Sequence, residues 1–70
     1  MTRKVAANRI VTDSGECLSP GVVEIDHGMV VNVSALHGEQ AFTEWMQGRI
    51  DVRSVPGGRI ALVGDVRLTD

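Results

Sequence analysis

The chain has 70 residues, with nine acidic and seven basic side chains and a formal net charge of −2. That length gives one small domain, residues 1–70, whose core supplies a net stability of only about 3–5 kcal/mol, and it excludes a (β/α)8 barrel, which takes about 250 residues. The acidic balance offers no electrostatic reason to meet nucleic acid or an anionic membrane; with Phe42 and Trp45 as the aromatic residues, the core has to be aliphatic and β-branched.

Met1-Thr2-Arg3-Lys4 is a basic opening, but Val5-Ala6-Ala7-Asn8-Arg9 follows instead of the unbroken apolar core of a signal peptide. Residues 4–12 mix β-branched and small side chains and read as a strand. Asp13-Ser14-Gly15-Glu16 ends it, because Asp and Ser bond their own backbone and Gly accepts positive φ. Cys17 and Leu18 continue briefly on the return side until Ser19-Pro20-Gly21 breaks the run, Pro20 having no N–H to give a ladder. Residues 22–35 carry the strongest pattern. Val23 and Ile25 share one face and Glu24 and Asp26 the other; after His27-Gly28 the alternation resumes with Met29, Val31 and Val33 against Asn32 and Ser34. This is a hairpin hinged at Gly28, since two-residue connections that match strand twist need φ > 0.

Residues 36–48 admit two readings. Ala41 with Trp45, and Phe42 with Met46, stand four apart, as on a short helix closed by Gly48. Alternatively 42–46 is extended, with Phe42, Glu44 and Met46 on one face. A brief irregular or helical piece over 38–41 followed by extended chain is the form expected. Then come a strand over 50–55, a tight turn at Pro56-Gly57-Gly58, its partner over 59–63, a second turn at Gly64-Asp65 and a last strand over 66–69. The expected fold is all-β or mainly β: a small, mostly antiparallel sheet, barrel or sandwich of five to seven short strands with at most one short helical segment. Its core is expected from Val23, Ile25, Val31, Val33, Ile60 and Leu62, with Trp45 as a packing anchor over one end.

No constellation of residues carries catalysis, so no catalytic, cofactor-binding or metal-binding residue is assigned and no cofactor is expected. His27 falls in the hairpin turn and reads as a solvated polar residue. His37-Gly38-Glu39 has a spacing too unspecific for a ligand pair. Ser14, Ser19, Ser34 and Ser54 lack the setting of a nucleophile. The glycines of Val55-Pro56-Gly57-Gly58-Arg59 and Val63-Gly64-Asp65 lead into strands, not into a phosphate-cradling helix. Arg49, Arg53, Arg59 and Arg67, interleaved with Asp51, Asp65 and Asp70, suit cross-strand pairing and solubility. Cys17 alone forms no intramolecular disulfide or thiolate zinc cluster and reads as a small packing residue or surface thiol. A single cysteine suits a reducing cytoplasm, the expected location. No stretch approaches the roughly 18 apolar residues of a membrane span.

Arg9-Ile10-Val11-Thr12-Asp13-Ser14-Gly15, followed by Gly21-Val22-Val23-Glu24-Ile25-Asp26-His27-Gly28-Met29-Val30-Val31-Asn32-Val33, resembles the N-terminal composite β-domain of amidohydrolase-superfamily enzymes, the dihydroorotase-like and cytosine-deaminase-like metal-dependent hydrolases. In those enzymes a short hairpin carries an acidic residue and a glycine before a strand leading to the metal barrel. The resemblance covers residues 4–53, more loosely at Phe42-Thr43-Glu44-Trp45-Met46-Gln47-Gly48-Arg49-Ile50. It implies a similar small β-domain without the hydrolase activity. The family's His-x-His and proline-glycine approach do not follow Ile50, where Asp51-Val52-Arg53-Ser54 stands instead, and His27 and His37 cannot supply the ligands that activate water.

The family's domain draws strands from both chain ends, so a separate copy has to close its sheet with residues 59–69 or pair across a dimer. The function expected is therefore a stand-alone, non-catalytic, amidohydrolase-like β-domain acting through protein contacts, as a homodimer or with another protein, and with no membrane role. Two alternatives stay open. One is a small nucleic-acid-binding β-barrel, which needs a basic concave face with stacked rings; the other is an accessory domain that completes a separate amidohydrolase barrel.

Overall fold

The computed structural model describes residues 2–38 and 43–70. Among them the structure is all strand, turn and irregular chain: β1 (Arg3–Thr12), β2 (Cys17–Leu18), β3 (Gly21–Asp26), β4 (Met29–Ala35), β5 (Thr43–Val55), β6 (Gly58–Val63) and β7 (Val66–Leu68). They form one sheet in the order β4-β3-β1-β5-β6-β7, with β2 added to β1. Every pairing is antiparallel except β1 with β5, which run parallel at the centre. The mainly β expectation of five to seven strands holds, though β1 and β5, at 10 and 13 residues, are long. The helical or irregular piece expected over 38–41 falls on residues 39–41, outside the described residues, apart from the bend at Gly38.

The sheet is not flat. β4 and β6 stand four strand spacings apart in the order, about 19 Å in a flat sheet, yet they touch: a Cβ built on Gly58 would lie 3.4 Å from Met29 Sδ. Curling in this way wraps one core inside the sheet. Val5, Ala7 and Ile10 of β1, Val23 and Ile25 of β3, Val30 of β4, Ile50 and Val52 of β5, Ala61 of β6 and Leu68 of β7 make up that core, with Leu18, Val33, Met46 and Val63 packed against it.

The C-terminal residues tie the curled sheet shut. Arg67 Nη2 donates to Gly28 O at 2.9 Å, Arg3 Nη1 donates to Thr69 O at 2.7 Å, and the Asp70 carboxylate accepts from the N–H groups of His27 and Gly28 at 2.9 and 2.8 Å. His27 and Gly28 have φ of +53° and +75°, the left-handed pair of a two-residue hairpin turn.

Two bulges correct the sequence reading of the core. Glu24 pairs with Asn32 but Ile25 pairs with Val30, so Val31 is an extra residue in β4. It is 55% exposed while Val30 is 6% exposed, and the core residue expected at Val31 is Val30. The second bulge lies between β1 and β5, where three residue steps from Ala7 to Ile10 match four from Met46 to Ile50. Gly48, at φ +99°, absorbs the difference, so β5 runs through the position where the sequence suggested a break. The face of β6 is also the reverse of that expected. The turn at Pro56-Gly57 sets Val55 against Gly58, which puts Ala61 opposite Val52 in the core and leaves Ile60 and Leu62 half-buried on the other side. Val23 and Ile25 are fully buried as expected, and Val33 packs against the core.

Candidate functional site

The residues that might suggest a metal or a nucleophile are dispersed. His27 is exposed in the hairpin turn, its Nδ1 3.3 Å from Asp26 Oδ1. His37 is exposed beyond the far end of β4. The seven residues of β4 span about 23 Å, so the two imidazoles cannot share an ion held at about 2 Å. Glu39 of the His-Gly-Glu run lies outside the described residues. Among the described residues no group of three or more His, Cys, Asp or Glu side chains could hold a metal ion, and no helix is long and apolar enough to cross a membrane. Cys17 is an exposed free thiol.

The serines and acidic turn residues hold the backbone. Ser19 Oγ donates to Asn8 O at 2.9 Å, Ser14 and Thr12 share a hydroxyl bond at 2.8 Å, and Thr12 Oγ1 accepts from Glu16 N at 3.1 Å. Asp13 reaches past its own turn to β5. Its carboxylate accepts from Ser54 N at 2.8 Å, and this bond holds the Asp13 carboxyl below the usual carboxylate range. Among the described residues, the arginines and aspartates make other contacts than the cross-strand pairs expected. Arg49 pairs with Asp51 two residues along the same strand, at 3.0 Å, while Arg67 serves Gly28 O and Asp70 serves the hairpin turn.

A more coherent feature lies on the outside of the sheet. Directly paired residues share a face, so the registers place Trp45, Ala6, Val22 and Ser34 in one row across β5, β1, β3 and β4, beside a second row of Thr43, Lys4, Glu24 and Asn32. Ala6 and Val22 are 1% and 3% exposed although neither belongs to the inner core, whereas Trp45 is 53% exposed. Trp45 is thus not the packing anchor expected over the core. Met46, paired with Ala7, takes the inward position, and alternation turns the indole outward. Beside it, Lys4 Nζ stands 3.6 Å from Glu24 Oε1.

Sequence reasoning missed this surface because it depends on pairing between β1 and β5, about forty residues apart, and no local pattern announces that partner. Comparison with protein-family models, curated proteins and solved structures gives no match for this chain.

Proposed function

We propose that the chain is a non-catalytic, amidohydrolase-like β-domain that works through protein contacts, with its contact face on the outer side of the sheet around Trp45. The exposed indole carries this reading. A tryptophan presents about 150–250 Å² of largely apolar surface, so covering the half left in water is worth about 2–3 kcal/mol at ~25 cal/mol per Å². Trp is also among the residues most enriched at the centres of protein interfaces. The neighbouring Lys4–Glu24 pair supplies both signs of charge for a polar rim.

Trp45 is the single tryptophan and the chain has no tyrosine, so intrinsic fluorescence reports on this face directly. The test is sedimentation of the purified chain over a range of concentrations, followed by capture of partners with the tagged chain, each repeated with Trp45→Ala. The expected result is a complex, with itself or with a defined protein, whose formation shifts the indole emission to the blue and which Trp45→Ala abolishes without changing the β-sheet circular dichroism. A chain that stays monomeric and captures the same proteins with Trp45→Ala as without it would sink the proposal.

A further inference from the structure

The bulge at Gly48 makes Arg9 and Arg49 direct partners on the parallel strands β1 and β5. They stand one residue before the buried pair Ile10 and Ile50, so alternation sends both guanidinium groups to the outer side. A shallow groove of about 340 Å³ opens there, lined by Asn8, Arg9, Ser19, Gly48 and Arg49. A Cβ on Gly48 would meet nothing within 4 Å, so the groove is open above the bulge. Like charges set directly opposite each other destabilise a sheet, and these two are brought together in a chain of net negative charge. Asp51 engages Arg49 through two contacts, Nε–Oδ1 at 3.0 Å and Nη2–Oδ2 at 3.4 Å, while Arg9 has no ion-pair partner among the described residues. One positive charge is left uncompensated beside an oriented second guanidinium.

We propose that Arg9 and Arg49 form a receptor for a small oxyanion, a phosphate or carboxylate group. Guanidinium forks match the paired oxygens of either group, and such charge-assisted bonds are roughly twice as strong as neutral ones. Asn8 and Ser19 supply neutral polar edges to the groove. This groove lies on the same outer side of the sheet as Trp45 but shares no residue with the rows around it, so anion binding is read independently of association.

The test is titration of the ¹⁵N-labelled chain with sodium phosphate and, separately, sodium acetate, at ionic strength held constant with sodium chloride. Saturable amide shifts centred on Asn8, Arg9, Ser19, Gly48 and Arg49 are expected for at least one of the two. Tighter binding of phosphate identifies a phosphate-bearing ligand; tighter binding of acetate identifies a carboxylate. Arg9→Gln should weaken binding about tenfold or more without lowering the melting temperature, because the side chain is exposed and its removal relieves the like-charge pair with Arg49. Asp51→Asn should strengthen it by removing the competing carboxylate. Shifts that fail to saturate with both anions, or equal affinity in Arg9→Gln, would overturn the assignment.

Discussion

Asp70 shows how much one exposed side chain can organise. Its carboxylate takes both N–H groups of a turn whose first residue, His27, is not glycine yet sits at φ +53°. Histidine is among the residues that tolerate this region better than most, and two charge-assisted bonds hold it there. The Gly28 and then the His27 N–H groups keep the Asp70 carboxyl below its ordinary value of 3.8. A depressed folded-state value means that the stabilisation is fully present above the unfolded value and is lost as pH falls through the folded one. Asp70→Asn should therefore lower the melting temperature at neutral pH, and the gap from the parent should close as pH drops below 3.8. Thermal melts followed by circular dichroism across that range give the answer; a gap that persists in acid would mean that the carboxylate charge is not what holds the turn. Asp13, bonded by Ser54 N–H, and Glu44, bonded by Arg3, are depressed in the same direction and add to the acid sensitivity of the parent.

At the scale of elements, the two bulges mark the border between what the amino-acid pattern discloses and what it hides. Val23 and Ile25 could be assigned to the core because β3 pairs regularly with β1 and Val23 and Ile25 alternate with the acidic Glu24 and Asp26. Val30 and Val31 could not be told apart, being identical side chains whose difference lies in which one the hydrogen-bond ladder skips. In β6 the bulkier Ile60 and Leu62 invited the core assignment, but the register set by Pro56-Gly57 gave that place to small Ala61. The outer rows around Trp45 and the arginine pair were hidden for the same reason, since both arise from the β1–β5 register. His27 in its turn, by contrast, was legible from two residues of turn chemistry. Gly48 offers the sharpest test at this scale. Its surroundings are empty, so Gly48→Ala meets no clash and should cost only the left-handed conformational penalty, about 1–2 kcal/mol. Urea unfolding measures this; an unchanged midpoint would show that the bulge relaxes without the glycine.

For the whole molecule, a single core shared by six of the seven strands makes stability a collective property. Ile25→Ala, which empties a fully buried position, should cost about 2–5 kcal/mol, as much as the whole net stability of a domain this small. Most of the variant population is expected to lose its sheet at room temperature, and a parent-like urea curve would contradict the shared core. The parallel union of β1 and β5 carries a kinetic consequence as well. Pairing Ala7 with Gly21 closes 14 residues of chain and pairing Ile10 with Ile50 closes 40, an added entropic cost of about 1 kcal/mol. The β1–β3–β4 half can assemble first from near neighbours, and until β5 arrives one long flank of β1 has its amide and carbonyl groups unpaired. The strand that ends as the centre of the native sheet thus begins as the growing margin of a nascent one, open during refolding to the wrong molecule's β5 as readily as to its own.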